Sequence, residues 1–409
     1  MIMKNAYPQP DFARAEWLNL NGTWEFSFDE PRYDAQIEVP YPWGSPLSGI
    51  AESKDGTGVY RRRVSFDPKG ERIFLIFGAV DYTCEVSVNG TQVGTHRGGY
   101  DRFEFDVTEV WDRAGENEIT VAATDTAARS QTYGKQGYGD ARGIWQTVWL
   151  EARPAAYIQS FFVQTKLDGT VTYDVELCGA PDGDAVRADF DGVRAEASVQ
   201  GGKAQLTLHI DSPALWSPED PFLYEGTISL GNDVVSTYFG IREIGTGVFG
   251  EHQRRYITLN GKPYYLNGVL DQSFNPKGYF TLPSDGDCRE EILRLKRIGI
   301  NRARIHIKAE EPRTLYWADK LGLLIMEDIP CFWGEPLPDT RAQYEREMEA
   351  EVLRDRNHPS IFYWVVFNET WGLFTHTKNA DGKETREYTA ETAEWVVRCY
   401  HRVKELDPT

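Results

Sequence analysis

Seven consecutive apolar residues, Ile361 to Phe367, run straight into Asn368, Glu369, Thr370, Trp371 and Gly372. The run is rich in β-branched and aromatic side chains and shows no polar alternation, so it reads as a strand buried on both faces of a sheet. Such a strand belongs to an α/β core. Here it delivers an amide and a carboxylate to the point where a parallel strand ends and its loop begins, which in a (β/α)₈ barrel is the active face. Asn357-His358-Pro359-Ser360 supplies the turn into it, because the residue before a proline is pushed out of the helical region.

The flanking sequence has the rhythm that such a strand requires. Tyr264 to Leu270 reads as a buried strand, and Asp287 to Ile298 as a helix with Ile292, Leu295 and Ile298 on one face. Asn301 to Ile307 is strand, Pro312 to Leu321 helix, Leu323 to Ile329 strand, Arg341 to Asp355 helix and Tyr388 to Leu406 helix. These are four βα units, whose right-handed crossovers give a parallel sheet with helices outside. A closed barrel of this kind needs eight. Residues 248–409 are therefore expected to form the first half of a (β/α)₈ TIM barrel, with two open strand edges and an uncovered apolar surface. The expectation is a fragment of a longer protein, with a barrel completed by a second chain as the minority alternative.

Upstream the period is that of strands. From Trp17 to about Arg153, short alternating segments such as Thr23 to Phe28, Arg72 to Phe77 and Cys84 to Val88 are punctuated by turns, with Asn89-Gly90 a strong hairpin signal. Two packed antiparallel sheets follow. Residues 154–247 repeat the pattern, with Val171 to Leu177, Val186 to Phe190, Gln205 to Ile210 and Tyr224 to Leu230 as strands of an immunoglobulin-like sandwich. A length of 409 residues fits such a multidomain chain.

The segment RNHPSIFYWVVFNETWG resembles the acid/base strand of family 2 glycoside hydrolases, the group of β-galactosidases, β-glucuronidases and β-mannosidases. LNLNGTWEFSFD, IEVPYPW, VSVNGTQVGTHRGGYDRFEFDVT and GIWQTVWLE resemble, in order, that family's N-terminal jelly-roll sugar-binding domain. LWSPEDPFLYEG and FGIRE resemble its second domain and the exit into the barrel. The resemblance implies a jelly-roll over 1–153, the immunoglobulin-like sandwich over 154–247, the half-barrel over 248–409, and a retaining exo-acting β-glycosidase. It puts the general acid/base on Glu369, and the residue that holds the sugar's 2-hydroxyl on Asn368. An acid set among apolar and aromatic groups keeps its proton to higher pH, as protonating a leaving oxygen near neutrality requires. The plain alternative for Glu369 is a solvated carboxylate at a strand end.

A retaining mechanism also needs a nucleophilic carboxylate about 5–5.5 Å from the first. The resemblance places it after the seventh strand, where this chain has no residue, so the chain alone is expected to be inactive. Glu327 and Asp328 end the third strand and read as supporting acids rather than substitutes. On the second strand Arg302, Arg304, His306 and Lys308 share one face, and basic groups facing a core need carboxylate partners. His306 resembles the family's substrate-contacting histidine; a core histidine tied to a carboxylate is the alternative. Asp271, beside Gln272 at the end of the first strand, is a candidate hydroxyl acceptor or a turn former. In the loop QGYGDARGIW, which in relatives reaches the barrel, Asp140 and Arg142 either read the sugar or form a surface ion pair. Trp333 and Trp371 are candidate aromatic walls for a sugar ring, or core.

A net charge of −19 argues against a nucleic-acid or anionic-membrane partner. Five cysteines without paired spacing suit reduced thiols better than disulfides or a zinc site. No phosphate-cradling glycine loop, HExxH pair or serine elbow occurs, and no cofactor or metal is expected. MIMKNAYPQPDF lacks the apolar core of a signal peptide and no apolar run reaches membrane-spanning length, so a cytoplasmic protein is expected. The expected partner is an oligosaccharide or glycoside, with β-galactoside ahead of β-glucuronide. The oligomeric state is open, a homo-oligomer included. The rival from another class is a non-catalytic carbohydrate-binding protein with vestigial barrel strands.

Overall fold

In the computed structural model, which describes residues 4–126 and 128–409, period-2 burial organises the first 153 residues. Asn117–Asp125 alternates buried and half-buried positions along its whole length. It sits inside a six-stranded antiparallel sheet, in the order 35–39, 22–28, 56–64, 117–125, 83–88, 91–97. A four-stranded sheet, 17–19, 148–153, 72–77, 103–106, packs over it. Trp24, Phe26, Trp43, Tyr60, Leu75, Phe77 and Leu150 fill the space between the two. Asn89 and Gly90 turn the predicted hairpin with φ of 51° and 78°, the paired positive values a two-residue turn requires.

A second sandwich follows, of a three-stranded sheet (157–165, 170–178, 203–209) and a four-stranded one (193–198, 185–190, 224–230, 233–239). Tyr173, Phe190, Leu206, Ile228 and Phe239 form its core. An antiparallel meander, Ile244–Phe249, Arg254–Leu259 and Lys262–Pro263, then leads to the barrel.

The barrel portion is β1 (Gly268–Asp271), α1 (Asp285–Arg297), β2 (Arg302–Ile305), α2 (Pro312–Leu321), β3 (Leu324–Asp328), α3 (Pro338–Asp355), β4 (Ile361–Val365) and α4 (Ala390–Leu406). The strands are parallel, in the order β1-β2-β3-β4. Local chemistry sets the helix starts, at Pro312 as expected and at Asp285, Pro338 and Ala390 rather than Asp287, Arg341 and Tyr388. Pro312 and Pro338 occupy first-turn positions of α2 and α3, where no amide proton is missed. Ser284 and Thr389 cap α1 and α4 with their side chains. Gly322 ends α2 at φ 78°, where a Cβ would come within 2.5 Å of the Pro218 carbonyl oxygen.

Two expectations need correction. The segment Tyr264 to Leu270 is not a buried strand: only its end is strand, and Tyr265 and Leu270 are 83% and 51% exposed. The run from Ile361 is strand only to Val365 and is not buried on both faces, since Tyr363 is 51% exposed. Both strands are outermost in the sheet. Among the described residues β1 pairs only with β2 and β4 only with β3, so an apolar residue there lacks a neighbour on one side. A short hairpin, Thr375–Lys378 with Glu384–Glu387, lies between β4 and α4, where no strand is expected from the residue pattern.

Candidate active site

Parallel pairing aligns Leu270 with Arg304, and Asp271 with Ile305 and Glu327. Paired residues of neighbouring strands point to the same side. Ile305 packs among the helix-facing residues Ile292, Leu315 and Ala318, so Arg304 projects to the other side, into the half-barrel. There it meets a carboxylate, as an inward-facing basic group must. Its Nε donates to Asp328 Oδ1 at 2.8 Å and its Nη2 to Asp328 Oδ2 at 2.7 Å. The same Nη2 donates to Asn368 Oδ1 at 2.7 Å. Because a guanidinium only donates, Asn368 turns its carbonyl oxygen to Arg304 and keeps both Nδ2 protons for a ligand.

His306 places Nδ1 3.1 Å from Asp328 Oδ2. Burial lowers its pKa by more than Asp328 restores, which favours the neutral ring. A carboxylate paired with a guanidinium only accepts, so Nδ1 carries the proton and Nε2 is left as acceptor. Asp328, fully buried, thus organises Arg304 and His306 at the ends of β2 and β3. The strand does not continue to Ile307 as expected. Ile307 is buried with φ 54°, a conformation costing a β-branched residue about 1–3 kcal/mol, and it turns the chain. Lys308 consequently leaves the face of Arg304 and is buried against Glu310 (3.0 Å), Ser273 Oγ (2.7 Å) and the Phe280 carbonyl (3.0 Å).

Glu369 also has a positive φ, 53°, and follows directly on Asn368. It is exposed, not enclosed by apolar groups as expected, because the strand before it is outermost in its sheet. Trp371 Nε1 donates to its Oε2 at 2.8 Å. Trp371 in turn stacks on Trp333, centroids 4.7 Å apart and planes inclined by 30°.

Three acids have their side chains bonded outside this group. Asp271 shares the helix-facing side with Ile305; its Oδ1 accepts from Ser273 N at 2.7 Å, and it lines a cavity of about 60 Å³ against α1. Burial raises its pKa, partly offset by that amide. Turn chemistry, not a place beside Asn368, describes it here. Glu327, on the same side, is buried against α3 and accepts from Glu310 N at 2.8 Å. Asp140 has one carboxylate oxygen on Tyr133 Oη (2.7 Å) and the other on Arg142 (2.8 Å). Arg142 is buried and also bonds Asp55, so the ion pair exists but is not on the surface.

The loop before this pair does reach the barrel. Trp333 Nε1 donates to the Gly134 carbonyl at 2.9 Å, and the amides of Trp333 and Gly334 bond the Arg129 carbonyl at 3.1 and 2.7 Å. Tyr138 packs on Phe274. Sequence reasoning did not find residues 129–134, whose main-chain carbonyls do the holding; a backbone acceptor leaves no mark in side-chain pattern. The role of Arg304 toward Asn368 was within reach, since an inward basic residue announces that it needs partners.

Three models of one family match in succession: the glycosyl hydrolases family 2 sugar binding domain over residues 4–154, glycosyl hydrolases family 2 over 156–242, and its TIM barrel domain over 251–409. Among curated proteins the chain is similar to a β-galactosidase of Thermoanaerobacter pseudethanolicus, 26% identical over 86% of this chain and 50% of that one. It is also similar to a β-glucuronidase of Bacteroides fragilis, 27% identical over 87% of this chain and 57% of that one. The chain spans about half the length of the curated relatives it matches. Among solved structures, a β-galacturonidase from Eisenbergiella tayi bound to galacturonate superposes with a TM-score of 0.78 at 22% identity, covering 100% of this chain and 72% of that one. An FMN-binding β-glucuronidase from Facaelibacterium prausnitzii gives 0.79 at 22%, covering 96% and 62%. At such identity the structural likeness establishes the fold. With three family models in order along nearly the whole sequence, the chain belongs to glycosyl hydrolases family 2.

Proposed function

We propose that this chain is the leading part of a retaining exo-β-glycosidase that removes terminal β-linked sugars, β-galactosides first and β-glucuronides next. Glu369 acts as general acid and then base, and Asn368 donates from Nδ2 to a sugar hydroxyl. The observation that carries this is the Arg304 guanidinium, which bonds both Asp328 and Asn368 and so fixes the amide beside Glu369. His306 Nε2 is a second acceptor at the same strand ends. The order of substrates follows relatives named β-galactosidase and β-glucuronidase.

The nucleophile lies outside these 409 residues. Asp328 is enclosed by Arg304 and His306, and Glu327 faces the helices, so neither is free to attack an anomeric carbon opposite Glu369. The test compares the 409-residue chain with a polypeptide carrying the complete barrel, on aryl and alkyl β-galactosides and β-glucuronides. The chain alone is expected to turn over neither. In the complete polypeptide, Glu369→Gln should abolish hydrolysis of alkyl glycosides and spare activated aryl glycosides more. Equal loss on both would contradict the acid role, and turnover by the chain alone would contradict the missing nucleophile.

A further inference from the structure

Trp371 and Trp333 are candidate walls for a sugar ring; in the structure the indole N–H of each and one face of Trp371 are already engaged. The Trp371 indole N–H points at Glu369 Oε2, 2.8 Å away, and among the described residues it is the hydrogen-bond donor to that carboxylate. One face of Trp371 is covered by Trp333. Trp333 is itself held by the first sandwich, through its side chain at the Gly134 carbonyl and its backbone at the Arg129 carbonyl. Lys135 lies over its ring, 5.9 Å from the centroid.

The backbone is pressed into place to make this possible. Glu369 adopts the left-handed conformation, and Gly372 follows at φ 75°. A Cβ on Gly372 would lie 2.5 Å from the Phe332 carbonyl oxygen and 3.0 Å from the Phe332 ring, so the loop after β4 sits directly on the loop after β3. A glutamate in this conformation persists where its surroundings over-determine it. Its exposed side chain has three rotatable bonds and needs a fixed donor to have one position.

We infer that Trp371 is a positioning residue for Glu369, and that residues 129–134 of the first sandwich set its location through Trp333. This rests on the reading of Glu369 as acid/base. The consequence shows in the glycosylation step: a displaced carboxylate protonates a poor leaving group badly and matters little there to a good one.

The experiment uses the polypeptide with the complete barrel. Trp371→Phe keeps an aromatic ring for stacking and removes the N–H. Expected is a loss in kcat/KM, which reports the glycosylation step, of roughly tenfold on an alkyl glycoside, part of the 10²–10⁴ that general acid catalysis supplies, and about twofold or less on a dinitrophenyl glycoside. KM should stay within about twofold on the alkyl glycoside, where glycosylation limits turnover. A rise in KM on the alkyl glycoside with kcat unchanged would instead mark Trp371 as a wall for the sugar and overturn the inference, as would equal losses of kcat/KM on both substrates. Trp333→Phe, which loses the bond to Gly134, should show the same leaving-group dependence at smaller size; a flat response there would overturn the link to the first sandwich. Unfolding midpoints of both variants separate these results from misfolding. If Glu369→Gln leaves alkyl glycoside hydrolysis intact, the underlying assignment fails; if it abolishes it while Trp371→Phe is flat across leaving groups, only the positioning role fails.

Discussion

Arg304 and Asp328 pair side-on across adjacent parallel strands, with Nε–Oδ1 at 2.8 Å and Nη2–Oδ2 at 2.7 Å. The carboxylate is fully buried and the guanidinium mostly so. Asp328→Asn would leave Arg304 without its charged acceptor and turn an amide toward donors. Truncating one partner of such a pair costs about 3–5 kcal/mol when burial is complete. A loss at the lower end of that range in urea unfolding is expected, together with loss of the orientation of Asn368. A stability change below about 1 kcal/mol would show that the pair does not organise the strand ends.

His358 gives the junction between the second sandwich and the barrel a pH dependence. Burial alone would depress the imidazole, but Asp319 at 2.5 Å, aided by Asp11 and Asp355, lifts its pKa to about 9. The same Asp319 accepts from Tyr238 Oη and Ser360 N. Because the folded-state pKa is above the unfolded value of about 6.5, the stabilisation is complete below pH 6.5 and is lost as pH rises through 9. Denaturation midpoints should fall across that window, by up to roughly 1.4 kcal/mol per unit of pKa difference. His358→Gln should be less stable at pH 6 and show a flatter profile.

Glu327 acts in the same sense for a different reason. Burial, then the charge of Asp355, raises its pKa well above the carboxylate range, and its Oε2 has no hydrogen-bond partner among the described residues. Its contribution is therefore present at acid pH and lost as pH rises past the ordinary carboxylate range. Glu327→Gln retains the acceptor for the Glu310 amide and removes the charge. The variant should match the parent near pH 5 and exceed it by about 1 kcal/mol or more above pH 8, read as unfolding free energy. Equal stability at both pH values would mean that Glu327 is not protonated in the fold.

Gly134 bears on the contact between domains. It has φ 61°, and a Cβ there would lie 2.4 Å from the Ile307 carbonyl oxygen and 2.5 Å from Tyr100 Oη. Gly134→Ala should cost about 1–3 kcal/mol and loosen residues 128–142, which limited proteolysis would detect as faster cleavage there. Unchanged cleavage would show that the loop is held without this approach.

The elements with a strong local signature were legible. α2 starts and ends where Pro312 and Gly322 place it, β3 lies where the strand period puts it, and α3 ends at Asp355 as expected but begins at Pro338, ahead of the expected Arg341. Asn368 and Glu369 follow β4 as expected, because a short apolar run ending in polar residues has few alternatives in a parallel sheet. The exposure of Tyr363 and Leu270 was legible only in the count of βα units, which leaves two open edges; the composition of either strand reports how apolar it is, not whether a neighbour covers it. The facing of Asp271 depends on register with β2, which single-strand patterns do not fix. Ile307 broke the alternation that put Lys308 beside Arg304, and no β-branched residue advertises a left-handed conformation.

The bond from Trp333 to Gly134 means that barrel and first sandwich are not interchangeable parts. A barrel separated from its sandwich would carry Glu369 on an unmoored loop. A hybrid made by grafting the sandwich of one relative onto the barrel of another would have to import the matching stretch around residue 134, or inherit a carboxylate pointing the wrong way.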